Sequence, residues 1–104
     1  MAPRSIRSVI ERYKAALAAT GFPAFETVLF GSYARQEARP DSDIDLCLVS
    51  DAFTRGRLRY RKKAVQIAYE IDPRIQVVLI DPRTLASDRL SPLWSAIRRE
   101  SVAA

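Results

Sequence analysis

The chain has 104 residues, 48% of them hydrophobic and 28% charged, and its net charge is +5. This composition excludes disorder and collagen-like repeats, and the length predicts a single domain over residues 1–104. Because there is no histidine and only one cysteine, Cys47, internal disulfides, zinc sites built on His and Cys, and Ser-His-Asp triads are excluded. Any bound metal must therefore have oxygen ligands.

The first half of the chain predicts a long helix and two strands. Apolar residues spaced three and four apart predict a helix over residues 4–20. A β-branched and aromatic run predicts a strand over Thr27–Phe30, and a short helical segment follows at Tyr33–Gln36. After a loop, a second strand is predicted over Ile44–Val49. The predicted inner face of the first helix consists of Ile6, Val9, Ile10, Tyr13 and Leu17.

The second half predicts a helix over residues 55–71 and a third strand over Ile75–Ile80. Asp81-Pro82 and Ser91-Pro92 each predict a helix start, with an N-cap residue and proline at the first helical position. The predicted inner face of the helix over 55–71 consists of Leu58, Ala64, Ile67, Ala68 and Ile71. The predicted inner face of the last helix consists of Leu93, Trp94 and Ile97.

The predicted order is therefore α-β-α-β-α-β-α, an α/β (α+β) fold in which helices flank a small mixed sheet of three or more strands. No apolar run approaches the roughly 20 residues of a membrane span. The N-terminal residues also lack the apolar stretch of a signal peptide. We therefore expect a cytoplasmic protein without a membrane partner.

One stretch carries candidate chemistry. Gly31-Ser32 follows a predicted strand, and glycine at a strand-to-turn junction lets backbone N–H groups approach a phosphate. After a spacer of ten residues, Asp43 and Asp45 lie two apart at a strand end, so their side chains are expected to point to one face. Two carboxylates so placed repel each other unless a cation lies between them, and Mg²⁺ prefers such ligands.

This stretch resembles the signature of the minimal nucleotidyltransferases of the DNA polymerase β superfamily. The matching residues are Gly31-Ser32-Tyr33-Ala34-Arg35 and Ser42-Asp43-Ile44-Asp45-Leu46. The resemblance implies that Asp43 and Asp45 are catalytic and bind Mg²⁺, and that Gly31, Ser32, Arg35 and Ser42 contact the nucleotide. It also implies transfer of AMP from a nucleoside triphosphate, expected to be ATP, to a protein acceptor.

Small members of this family often act as the antitoxin of a helical HEPN-domain toxin. The resemblance therefore implies a HEPN-domain partner, and it leaves a second copy of the chain open as another partner. Two positions depart from the family pattern. Gln76 stands where active members carry a third acid, and Gln36 stands where glycine is usual. Asp72 and Asp81 flank the third strand but are better explained as turn and cap residues.

The departure at Gln76 favours a second hypothesis, a catalytically degenerate antitoxin that acts by binding its partner. A basic nucleic-acid-binding protein ranks third. It rests on residues 55–63, which hold six positive charges in nine residues. This segment predicts either a contact for phosphates or an acidic partner, or simply a solvated helix face.

Overall fold

A computed structural model describes residues 4–86, 95, 97, 99 and 102–104 of the chain. The helices are α1 (Arg4–Ala19), α2 (Arg57–Ile71) and the short α3 (Pro82–Leu85), with a 3₁₀ helix at Asp51–Thr54. The strands are β1 (Glu26–Phe30), β2 (Ile44–Val49), β3 (Ile75–Ile80) and β4 (Val102–Ala103). The predicted spans of β2 and β3 are confirmed, and α1 ends one residue before its predicted limit.

The four strands form one mixed sheet in the order β3-β2-β1-β4. β1 lies antiparallel to β2 and β4, whereas β2 and β3 are parallel. A parallel pair needs a crossover connection, which here contains α2. The register places Asp45 of β2 between Phe30 of β1 and Gln76 of β3. The fold class predicted from the sequence is confirmed, and the sheet has one strand more than its predicted minimum.

The main core lies between α1, α2 and one face of the sheet. The predicted stripe of α1 is buried throughout, from Ile6 to Leu17. It meets Ile44, Leu46 and Leu48 of β2, together with Ala64 of α2. The buried hydroxyl of Tyr13 donates a hydrogen bond to the Ala64 carbonyl oxygen at 2.8 Å, which joins the two helices.

The opposite face of the sheet is also covered. Cys47 and Val49 of β2 pack with Ile80 and with Ile97, a buried residue of helical backbone. Burial raises the pKa of the Cys47 thiol to about 12. The other residues predicted for the last helix, Leu93 and Trp94, and the predicted start at Ser91-Pro92 lie outside the described residues.

Three local predictions differ from the structure. Tyr33–Gln36 forms a turn rather than a helix. α2 begins at Arg57, two residues after its predicted start, and a 3₁₀ helix that was not predicted precedes it, capped by Ser50, whose side chain accepts a hydrogen bond from the Ala52 amide. Leu58 is 81% exposed, so its assignment to the inner face was wrong. Tyr60 packs inward instead, against Phe22 with ring centroids 5.7 Å apart.

β4 was missed because Val102–Ala103 has only two residues and no alternating pattern. Its pairing with β1 depends on residues far apart in the sequence, Val28 with Ala103 and Leu29 with Val102. Within the described ranges, none of the helices combines the length and the apolar composition needed to cross a bilayer.

Candidate active site

Asp43 and Asp45 lie at the start of β2, and Asp45 is on the sheet face opposite α1 and α2. Asp43 is exposed and directly precedes the strand, whereas Asp45 is half-buried within it. Their neighbours Ile44 and Leu46 are fully buried in the main core. The alternation of β2 thus buries Ile44 and Leu46 and turns the Asp45 carboxylate to the opposite face.

Burial is the first cause of a raised pKa for the Asp45 carboxyl, and repulsion by Asp43 is the second. Arg35 acts in the opposite direction and lowers the pKa of Asp45. Asp43 and Arg35 therefore both lie near enough to Asp45 to act on its charge. The net effect is that the negative charge of Asp45 is disfavoured, and a bound cation would relieve this.

Gly31 packs directly against Asp45. Its φ of +77° lies in the left-handed region that favours glycine. A Cβ built on Gly31 would overlap the Asp45 Oδ2 atom and would lie 3.0 Å from its Cγ. Both the backbone conformation and this close approach therefore require glycine here. The Gly31-Ser32 turn and the carboxylate of β2 are thereby joined in one site.

Three backbone hydrogen bonds stabilise the turn after Gly31, and each joins residues a different number of positions apart. The Arg35 amide donates to the Gly31 carbonyl oxygen, Gln36 to Tyr33, and Glu37 to Ser32 at 2.8 Å. This irregular winding, rather than a helical repeat, explains why the predicted helical segment is a turn. The Arg35 Nε also donates to the Glu37 Oε2 at 3.5 Å.

Gln36 ends the turn with a φ of +60°, and this conformation explains why glycine would suit the position. A side chain in the left-handed region is strained by contact between its Cβ and the backbone. We expect Gln36→Gly to raise the free energy of unfolding by about 1 kcal/mol. Urea denaturation measures this change. Gln66→Gly, in the exposed interior of α2, is the control and should lower stability by about 1 kcal/mol.

Ser42 closes the loop that leads into β2. Its Oγ accepts a hydrogen bond from the Arg39 amide at 2.8 Å, and its own amide donates to the Arg39 carbonyl oxygen at 3.0 Å. The hydroxyl of Tyr33, a buried residue, donates to the same carbonyl oxygen at 3.2 Å. The structure thus gives Ser42 a part in shaping the loop, and its nucleotide contact stays a prediction.

Arg74 is a positioning residue that was not predicted from the sequence. Its guanidinium and its backbone amide donate to the Asp72 carboxylate, and its Nη1 donates to the Pro40 carbonyl oxygen at 3.1 Å. Its carbonyl oxygen accepts from the Ile44 amide at 2.8 Å. Arg74 therefore holds both sides of the short segment that carries Asp43. The Asp-Pro-Arg turn before β3 was the only sequence signal.

We expect Asp72→Asn to lower the free energy of unfolding by about 1 kcal/mol at neutral pH, because charge-assisted hydrogen bonds are lost. Hydrogen bonds from Arg74 hold the pKa of Asp72 below its usual range. The contribution is therefore present above the unfolded pKa and is lost as pH falls through the lower folded pKa. Denaturation of both proteins across the acidic range measures this. A difference that does not shrink in acid would contradict the assignment.

The third acid position holds Gln76, which is exposed in β3 and in register with Asp45. Asp81 caps α3 by accepting a hydrogen bond from the Thr84 amide, and Asp72 binds Arg74, so both act as turn or cap residues. Among the described residues, no three His, Cys, Asp or Glu side chains form a group able to hold a metal ion. The donor set is two carboxylates beside one amide.

This donor set is chemically suited to Mg²⁺, because every donor atom is an oxygen. Asp43 also repels the charge of Asp45, and a bound cation would relieve that repulsion. Gln76 offers an amide oxygen but no negative charge and no base. We find that the residues of the site could hold a hard cation with substrate phosphates as further ligands, but with less charge than three acids would supply.

Comparison with known proteins shows the family of the chain. A family model described as the nucleotidyltransferase domain matches residues 10–98. A protein of Methanocaldococcus jannaschii, provisionally named a protein adenylyltransferase, is 31% identical over an alignment of 74 residues that covers 67% of this chain and 50% of that protein. The chain thus spans about half the length of this curated relative.

Two solved structures share the fold. A crystal structure of a toxin–antitoxin with AMP-PNP aligns with a TM-score of 0.56 and 22% identity, covering 89% of this chain and 70% of that one. A provisionally assigned nucleotidyltransferase from Sulfolobus solfataricus aligns with a TM-score of 0.54 and 22% identity, covering 99% of this chain and 87% of that one. With the family match over most of its length, the chain belongs to the nucleotidyltransferase family.

Proposed function

We propose that the protein transfers AMP from ATP to a protein acceptor in the presence of Mg²⁺. The observation that carries the proposal is the packing of Gly31 against Asp45, because it joins a glycine turn suited to phosphate with a carboxylate suited to a cation. The relative named as a protein adenylyltransferase supports AMP as the group and a protein as the acceptor.

In this proposal each residue of the site has one task. Asp43 and Asp45 hold the cation, and the backbone of Gly31 and Ser32 receives the phosphates of the nucleotide. Arg35, whose charge already acts on Asp45, adds positive potential beside them. Mg²⁺, when bound, supplies neutralisation of the phosphate charge.

The transfer step follows from this placement. An acceptor oxygen forms a bond to the α-phosphorus while the bond to pyrophosphate breaks, and pyrophosphate leaves. The acceptor proton passes to solvent, since the amide of Gln76 cannot accept it. Ser42 and Arg74 contribute by holding the loop that presents Asp43. Catalysis then consists of positioning and charge neutralisation.

A second candidate function is favoured by Gln76. With a neutral amide in the third position, the protein would retain the fold and act as an antitoxin that neutralises a HEPN-domain partner by binding it. The fold shared with the toxin–antitoxin structure supports this candidate. The two candidates differ in whether the Mg²⁺-dependent nucleotide site is used.

Calorimetric titration with ATP, with and without Mg²⁺, tests the proposal. We expect binding that requires Mg²⁺ and weakens at least about tenfold in Asp43→Asn/Asp45→Asn, because the cation loses both charged ligands. Asp51→Asn, at an exposed aspartate outside the site, is the matched control and should bind as the wild type does. No binding by the folded wild type would reject the enzyme and favour the binding-only antitoxin.

A further inference from the structure

The outer side of α2 exposes an apolar stripe. Leu58 is 81% exposed, Tyr69 73% and Val65 40%. Their spacings of seven and four residues place them on one side of the helix. The buried residues Ala64 and Ile67 lie on the other side, against the sheet. We call the exposed side, with Arg61 and Lys62 beside the three apolar residues, the α2 outer face.

Positive charge surrounds this stripe. Arg61 and Lys62 are exposed, and residues 55–63 hold six positive charges with no acidic residue among them. Glu70, at the end of α2, is the only acidic residue of the helix. A second copy of the same face would bring like charges together, which is unfavourable. The charge pattern is complementary to an acidic surface.

The combination of charge and apolar area identifies the class of partner. A phosphate backbone would neutralise the basic side chains but would leave Leu58 and Val65 in water. A protein surface with an apolar centre and an acidic rim would cover both kinds of side chain. An amphipathic helix with acidic flanks combines an apolar centre with an acidic rim, and it can lie along the length of α2.

The α2 outer face is separate from the candidate active site. α2 packs on the sheet face formed by Ile44 and Leu46, whereas Asp45 lies on the opposite face. A partner bound to α2 would therefore leave Asp43 and Asp45 accessible. This inference does not depend on nucleotide binding or on transfer.

We propose that the α2 outer face is a docking surface for an acidic amphipathic helix of another protein. The apolar residues Leu58, Val65 and Tyr69 bind the apolar side of that helix, and Arg61 and Lys62 pair with its acidic flanks. The ion pairs set orientation and association rate, and burial of the apolar centre excludes water.

NMR titration of the ¹⁵N-labelled full chain tests the proposal. The probe is a synthetic three-heptad helix with Leu at its a and d positions and Glu at e and g. We expect amide shift changes confined to α2, and binding that weakens as salt rises. The same peptide with Lys in place of Glu should not bind. Arg61→Glu/Lys62→Glu should weaken binding at least about tenfold.

Further variants separate this surface from the active site and from general charge. Leu58→Ser/Tyr69→Ser should weaken peptide binding with the charges intact, whereas Arg7→Glu, at an exposed arginine of α1, should not. Asp43→Asn/Asp45→Asn should bind the peptide as the wild type does, even where ATP binding is lost. Binding of duplex DNA or phosphatidylserine vesicles instead of the acidic peptide, or of none of the three, would overturn the proposal.

Discussion

Gly31→Ala is expected to lower the free energy of unfolding by about 3 kcal/mol and to abolish Mg²⁺-dependent ATP binding. Two causes act together. The φ of +77° strains any side chain, and the new Cβ would overlap the Asp45 carboxylate, which must then move. Because the displaced group is a proposed cation ligand, the loss of binding should exceed what reduced stability explains. Urea denaturation and calorimetry measure the two effects.

Gly21→Ala is the matched control for this substitution. Gly21 has nearly the same φ, +78°, but an added Cβ would have no neighbour within 4 Å. Gly21→Ala is expected to lower the free energy of unfolding by about 1 kcal/mol, from backbone strain only. The difference between the two variants measures the overlap with Asp45. Equal effects on stability, with ATP binding retained in Gly31→Ala, would contradict the packing described for the site.

Gln76→Asp is expected to raise Mg²⁺ affinity, and with it the rate of AMP transfer, at least about tenfold. The register places residue 76 beside Asp45, so an acid there adds a third negative charge to the site. Without a cation the added charge should destabilise the fold, since it lies near two carboxylates. With Mg²⁺ the midpoint of thermal unfolding should therefore rise more in this variant than in the wild type.

Thermal unfolding at several Mg²⁺ concentrations tests the site without knowledge of the acceptor, and release of pyrophosphate from ATP tests the chemistry. Gln66→Asp introduces the same change at an exposed position of α2. It should leave the Mg²⁺ response of the wild type unchanged. If Gln76→Asp responds to Mg²⁺ no more than Gln66→Asp does, residue 76 does not face a cation site.

Much of the fold was predictable because its strongest signals are local. The apolar stripe of α1, the spans of β2 and β3, and the cap at Asp81 depend on residues within a few positions of one another. Leu58 shows the limit of this reasoning. Its spacing suits an inner face, but α2 begins at Arg57, and Tyr60 takes the inward position beside Phe22.

In the candidate site, too, the residues identified from the sequence follow local rules, and the residues that were missed depend on long-range contacts. Asp43 and Asp45 were paired from sequence because alternation along a strand is a local rule. Arg74 was not found, because its bond to the Pro40 carbonyl oxygen joins residues 34 positions apart. Gln36 was recognised in the sequence as a departure from the family pattern. Only the structure showed that its φ is +60°, a strained conformation for glutamine that glycine adopts without strain.

The sequence by itself determined α1, α2 and the strands β1 to β3, the burial of the α1 stripe and the placement of two carboxylates two residues apart, since each follows from periodicity over neighbouring residues. Only the tertiary structure decided that Gly31 packs against Asp45, that Gln76 lies beside it and that β4 completes the sheet. These contacts join residues distant in the chain, and strand register together with the backbone turn at Gly31 brings them together.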